Sequence, residues 1–161
     1  MSDTLAEIFH HNLWANLKLL DACSGLSEAQ LAASEHGTYG SIGATLVHIV
    51  SAEEHYVGLL KGARLEDRVR VKDPFPGFEK LREHARRSGE ALISIAKGFT
   101  ETYRIVSKLH PSDPDNLRAV VPLLQAMNHA TEHRAHVMTI LTQQGVEPPQ
   151  LDAWAWNRER F

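Results

Sequence analysis

The sequence has little of several features that would define a protein class. Its 161 residues include one cysteine, Cys23, so no intramolecular disulfide can form and a disulfide-stapled secreted scaffold is excluded. There are 17 basic and 20 acidic residues, for a net charge of -3, which lacks the overall basic excess of a nucleic-acid-binding domain. No run approaches the length of apolar chain that spans a bilayer,. We therefore expect neither a nucleic-acid partner nor a membrane partner.

The composition that is present is typical of one folded domain. Hydrophobic residues make up 43% of the chain, and a chain of about 150 residues buries roughly 68–70% of its unfolded surface. We therefore expect a single domain over residues 1–161. The N-terminus has early acidic residues and no basic segment leading into an apolar run, so no secretory signal is predicted. With the single cysteine, this predicts a cytoplasmic protein.

Apolar residues recur at helical spacing in four long stretches, and no segment indicates a strand pair. The stretches run approximately over residues 4–23, 42–60, 78–109 and 122–144. Ser27 and Gln30 have the spacing of a capping box and predict a short extra helical turn after the first helix. Pro148 and Pro149 open what we predict to be an extended C-terminal tail, residues 150–161. The pattern predicts an all-α four-helix bundle, whose topology the long 63–77 connection leaves open.

The histidines are the most informative residues, and three of the ten lie close together in the last long helix. His129 and His133 are four residues apart, so they lie on one face of a helix with Cβ atoms about 5–6 Å apart. Two such imidazoles can bind one ion, each at about 2.0–2.1 Å. Similar histidine pairs on exposed helix faces bind nothing. The pair is therefore interpreted either as two metal ligands or as two exposed side chains without a ligand. His136 and Glu132 are further candidates, because each is within one turn of a histidine of the pair.

A third ligand should come from another helix, and the second long helix is the best source. One of its stripes carries small or polar residues where a packed core would have leucine or isoleucine: Ser41, Ala44, Thr45, His48, Ser51, Ala52 and His55. His48 is at the middle of this stripe, and its alternative role is a hydrogen-bonded core histidine. Three neutral imidazoles with open coordination positions are typical of a working metal rather than a structural one.

Two kinds of chemistry follow from such a site. A divalent cation can lower the pKa of bound water for hydrolysis, or it can bind a small thiol as the thiolate. Imidazole ligands suit zinc, nickel, copper or iron, and zinc or nickel is favoured here. No catalytic residue is assigned beyond the metal ligands. Cys23 has no activating partner in the sequence, so it is interpreted as a small buried hydrophobe.

The sequence resembles the DinB family along essentially its whole length. The segments that carry the resemblance are 11–16 with 19–22, 41–49, 128–134 and 141–152. The resemblance implies a four-helix fold and a metal held by three histidines, which here are His48, His129 and His133. Members commonly read His-Arg-Gly-Gln at the second ligand of the pair, whereas this chain has Ala135 and His136 after Arg134. That departure changes the surroundings of the metal and leaves the ligands in place.

The resemblance also implies a function. Characterised relatives in the superfamily bring a low-molecular-weight thiol to an electrophile, so a metal-dependent thiol S-transferase with a small-molecule substrate is the favoured interpretation. The alternatives are a metal-dependent hydrolase and a non-catalytic metal-binding stress protein, since the family is named for induction after DNA damage. On the transferase interpretation, Ser51, His55 and His136 are expected to line the electrophile pocket.

Two expectations concern residues outside the histidine cluster. Arg134 directly follows a predicted ligand, and it either holds an anionic group or forms an outward salt bridge. Trp154 and Trp156 lie in the tail and are candidates to cover a residual apolar face or to meet a second copy of the chain. A homodimer is therefore expected.

Overall fold

The structure is a computed structural model that describes residues 4–160. These residues form six helices and no strand, apart from one isolated bridge between Ile105 and Arg118. The helices are α1 (Thr4–Cys23), α2 (Glu28–Leu31), α3 (Ile42–Lys61), α4 (Phe78–Ala96), α5 (Val120–Gln143) and α6 (Ala153–Arg160). The all-α prediction is confirmed, and α1, α3 and α5 match their predicted bounds to within two residues.

The short helix and the start of α3 form for the reasons that the sequence indicates. The Ser27 side chain accepts from the backbone N–H of Gln30, and the Gln30 side chain accepts from the backbone N–H of Ser27, so the predicted capping box is present. Ser41 caps α3 by accepting from the backbone N–H of Ala44 at 3.2 Å. Gly62 ends α3 in the left-handed conformation, with φ of 77°, where glycine has no steric cost.

The predicted third long helix is too long. Helix α4 ends at Ala96, and Gly98 then turns the chain with φ of 69°. Residues 97–119 are non-helical, apart from turns, yet Phe99 and Val106 still pack against the apolar core. These loop residues have the spacing of apolar residues on one helix face. The apolar periodicity therefore predicted a helix that ends 13 residues after the observed end of α4,.

The C-terminal region also differs from the extended tail that was predicted. Residues 144–152 are non-helical, and α6 follows. The Asp152 carboxylate caps α6 by accepting from the backbone N–H groups of Trp154 and Ala155 at 2.8 and 2.9 Å. Helix α6 contacts α1, where the Trp14 indole donates to Glu159 at 3.1 Å. Phe161 lies outside the described residues.

The four long helices pack as a bundle. Helix α1 packs mainly on α4, and α3 packs mainly on α5. Helix α4 also contacts α3, so the 62–77 connection joins neighbouring helices rather than crossing the bundle. The buried apolar residues form two clusters, one near Leu20 and Ile140 and one near Phe9 and Leu123. No described helix is long and apolar enough to span a membrane.

Candidate metal centre

The structure brings the three predicted ligand histidines together. His48 lies in α3, and His129 and His133 lie one turn apart in α5. One ring nitrogen from each lies within 4.8 Å of those of the other two. The ring centroids are 4.3 to 4.7 Å apart, and His48 Nε2 is 2.9 Å from His129 Nε2. These three side chains thus form a cluster that could hold one metal ion.

The electrostatics of the cluster favour neutral rings. Burial, followed by the neighbouring charge of His133, lowers the pKa of His48 to about 4. Burial, followed by the charges of His133 and His48, lowers the pKa of His129 to about 4. Both imidazoles therefore keep free lone pairs at neutral pH, which is the form that binds a metal.

The unpaired nitrogens of the cluster fit a divalent cation. The Nδ1 atoms of His48 and His133 are buried and have no hydrogen-bond partner among the described residues. Buried polar atoms without a partner are rare in folded proteins. Here they belong to two of the three rings of the cluster. Three neutral imidazoles are a donor set that zinc, nickel, copper and iron accept.

Tyr39 covers one side of the cluster, which the sequence analysis missed. Its ring stacks on that of His48 with centroids 4.0 Å apart and planes 9° apart, and it meets the His133 ring edge-on at 5.1 Å. Thr38 steadies the loop by donating its hydroxyl to the Glu35 carbonyl at 2.8 Å. The available signal was a tyrosine three residues before the helix that carries a ligand.

The other candidate ligands lie outside the cluster. The His136 ring is 5.2 Å from that of His133, and its Nδ1 is buried without a partner, but His136 is not among the converging groups. Glu132 is exposed. His55 instead bonds Asp113, with Nε2 and Oδ1 2.8 Å apart. Among residues 4–160, three protein donors therefore converge and no fourth joins them.

The predicted electrophile pocket is only partly right. His55 lines a cavity of about 270 Å³ between α3, α5 and the non-helical segment that precedes α5. Ser51 and His136 do not line this cavity. Ser51 lies one helical turn before His55 in α3, and His136 lies about three turns after Gln125 in α5, so both are displaced from the cavity along their helices,.

Both expectations for Arg134 are wrong, because its guanidinium is buried in a polar network. Arg134 Nη1 donates to Oδ1 of Asn12 and Oδ1 of Asn16 at 2.8 and 2.7 Å. Both asparagines donate their Nδ2 atoms to Glu53 Oε2 at 3.0 Å. Ser88 donates to the other Glu53 oxygen at 2.8 Å. Glu53 and Glu54 are adjacent acidic residues in an otherwise largely apolar helix. This pattern could have indicated buried carboxylates, but the sequence prediction did not take it into account.

The structure agrees with the interpretation of Cys23 as a small buried hydrophobe. Its side chain is free and fully buried, and burial raises the pKa of its thiol to about 12. The thiol is therefore protonated at neutral pH and does not act as a nucleophile.

Four long helices around a cluster of three histidines define a helical protein with a candidate metal centre. The family model described as "DinB family" matches residues 1–159, and the chain belongs to the DinB family. Protein DinB of Bacillus subtilis (strain 168) is 21% identical over 159 residues, which cover 94% of this chain and 92% of that protein. The crystal structure of a DinB-like protein from Bacillus cereus superposes with a TM-score of 0.68 at 17% identity, covering 91% of this chain and 94% of that one. That likeness shows the fold.

Proposed function

We propose that the protein is a metal-dependent transferase that activates a low-molecular-weight thiol toward a small electrophile. The observation that carries this proposal is the convergence of three histidines, which no further His, Cys, Asp or Glu of residues 4–160 joins. A structural zinc site is normally closed by four protein ligands, whereas three leave room for a substrate. A divalent cation bound there, with zinc or nickel the favoured metals, would deprotonate a thiol at neutral pH.

The residues of this chain have distinct roles in that scheme. His48, His129 and His133 hold the cation through neutral imidazoles. Tyr39 lies flat on His48 and shields that ring from water. The buried Arg134 network fixes α5, which carries two ligands, against α1. Since Cys23 is buried and protonated, the nucleophile is exogenous.

The test is thiol consumption by metal-loaded and metal-stripped protein. Cysteine and monochlorobimane serve as the thiol and the fluorogenic electrophile, and the rate is followed by fluorescence. We expect loaded protein to exceed stripped protein, His48→Ala to remove the difference and Cys23→Ser to leave the rate unchanged. A matched control is His36→Ala, since His36 is exposed and outside the cluster. Equal rates for loaded and stripped protein across several thiols and electrophiles would overturn the proposal.

The neutrality of the histidine cluster also supports a hydrolase as a second candidate. The same three donors can serve a cation that activates water instead of a thiol. Metal-dependent cleavage of p-nitrophenyl acetate in the absence of any thiol would favour this candidate. If neither reaction depends on metal, the third possibility, a metal-binding stress protein without catalysis, takes their place.

A further inference from the structure

The cavity beside the candidate metal centre has apolar walls and one polar edge. Its volume is about 270 Å³, slightly below the range of about 300–1,000 Å³ that is usual for ligand pockets. Leu59, Leu117 and Val121 contribute to the walls, and His55 and Gln125 are on the polar edge. No lysine or arginine lines it. The cavity therefore suits a compact neutral molecule rather than an anion.

The polar edge is organised around Asp113. One carboxylate oxygen of Asp113 accepts from the backbone N–H groups of Leu109 and His110 at 2.9 and 2.7 Å, and the other bonds His55 Nε2 at 2.8 Å. Burial by itself raises the pKa of Asp113, but the bonds from His55 and from the two backbone groups outweigh it and leave that pKa below its usual range. The carboxylate is thus ionised and can only accept hydrogen bonds.

This arrangement fixes which nitrogen of His55 is free. Because Nε2 bonds Asp113, Nδ1 is the ring nitrogen left to meet a ligand,. Nδ1 has no hydrogen-bond partner among the described residues. A hydroxyl suits this position, because it both donates and accepts hydrogen bonds.

The cavity adjoins the three-histidine cluster. Tyr56, which lines the cavity, meets the His129 ring edge-on with centroids 5.9 Å apart. The Tyr56 side chain is hydrogen-bonded to Gln125, which lies one helical turn before His129 in α5. His55 lies two turns after His48 in α3, a rise of about 10 Å. Tyr56 thus contacts both the cavity and the cluster.

We propose that this cavity binds the small-molecule co-substrate of the reaction, as a compact ring compound whose hydroxyl hydrogen-bonds to His55 Nδ1. The assignment of a ligand site stands on the cavity and on the His55–Asp113 pair. Its role as the co-substrate site rests on the proposed function. The apolar walls bury the ring, and the absence of a cationic lining residue selects against carboxylates and phosphates.

The binding test uses ¹⁹F NMR titration of the whole protein with 4-fluorophenol, fluorobenzene and 4-fluorobenzoate, with no thiol present. We expect 4-fluorophenol to bind about fivefold more tightly than fluorobenzene, which is the equivalent of one ordinary hydrogen bond. 4-Fluorobenzoate should bind most weakly. Preferred binding of 4-fluorobenzoate, or equal binding of all three, would overturn the assignment.

Two variants locate the site, and one control accompanies them. His55→Phe keeps a ring but removes the hydrogen-bonding nitrogen, so the fivefold preference for 4-fluorophenol should vanish. Val121→Phe fills the cavity without touching the His55–Asp113 pair, so all three probes should lose binding. His36→Phe changes an exposed histidine outside the cavity and should bind like the unaltered protein. Unchanged binding in Val121→Phe would overturn the assignment even if His55→Phe folds poorly.

The role as co-substrate site is tested separately from the thiol chemistry. If the metal-dependent thiol assay succeeds, Val121→Phe should raise the KM for the electrophile at least severalfold, and an unchanged KM would overturn the co-substrate role. If 4-fluorophenol binds as expected but no thiol transfer is found, the ligand site stands and the proposed transferase function falls.

Discussion

Glu53 and Arg134 are opposite charges in the core that are joined through two asparagine side chains. Asn12 and Asn16 each donate to the carboxylate and each accept from the guanidinium. The asparagines lie one turn apart in α1, Glu53 lies in α3 and Arg134 lies in α5. The network thereby fixes three helices at once. Asn12, Glu53 and Arg134 fall, each along its own helix, between the residues of the two apolar clusters.

Removing Arg134 should destabilise the fold strongly. Arg134→Met keeps most of the side-chain volume but leaves two buried amide oxygens and the Glu53 carboxylate without their positive partner. Breaking a buried charged network costs about 3–5 kcal/mol. Urea unfolding measures the loss, with Arg86→Met as the control because Arg86 is exposed in α4. A loss no larger than that of the control would show that the network contributes little.

Metal content should follow the three-histidine cluster. We expect about one divalent ion per chain after loading, and His48→Ala, His129→Ala and His133→Ala should each lose most of it while remaining helical by circular dichroism. His136→Ala is the matched control, since His136 is in the same helix but outside the cluster. Elemental analysis of the purified proteins gives the result. Full occupancy in His48→Ala, or loss in His136→Ala, would place the site elsewhere.

Gly89 allows α1 and α4 to approach closely. A Cβ at this position would lie 2.7 Å from Leu13 Cδ1 and 3.0 Å from Leu13 Cβ. Gly89→Ala should therefore cost about 1–3 kcal/mol through overpacking, although alanine is the better helix former by about 1 kcal/mol. Gly25→Ala is the control, since nothing lies within 4 Å of the added methyl. Thermal unfolding that shows Gly89→Ala to be the more stable protein would contradict this close contact.

The bonds to Asp113 should make stability pH-dependent. Its folded-state pKa is lower than that of an unfolded chain, so the ionised carboxylate stabilises the fold above about pH 4. That contribution is lost as the pH falls through the folded-state value. Asp113→Asn should cost roughly 1–3 kcal/mol at pH 7, and the difference from the unaltered protein should shrink below pH 4. Urea unfolding between pH 3 and pH 7 measures it, and a difference independent of pH would contradict the prediction.

The expected homodimer can be tested through one residue. Trp154 is 79% exposed at the start of α6, and large aromatic side chains of this kind often dominate interfaces. Light scattering at micromolar concentration should give about twice the 18.0 kDa chain mass. Trp154→Ser should weaken association about thirtyfold, the equivalent of roughly 2 kcal/mol. Tyr103→Ser is the control, because Tyr103 is 80% exposed on the 97–119 segment. A monomer for the unaltered protein would reject the dimer.

The sequence predicted those parts of the molecule that depend on local spacing. The bounds of α1 and α3 followed from their apolar periodicity and caps, and the His129–His133 pair followed from an interval of one helical turn. The meeting of His48 with that pair depends on how α3 packs on α5, and the small-residue stripe was enough to indicate it. The partners of Arg134 lie 118 and 122 positions away, so no local pattern could identify them. The same holds for Asp113, which bonds His55 from a non-helical segment 58 positions away.

Helix α3 sets a fixed distance between two polar points. His48 and His55 lie seven residues apart on one continuous helix, so backbone hydrogen bonds hold their separation near 10 Å along the axis. His48 belongs to the histidine cluster, and His55 belongs to the polar edge of the cavity. A displacement of α3 relative to α5 would therefore alter both sites at once, while the spacing between them stays the same.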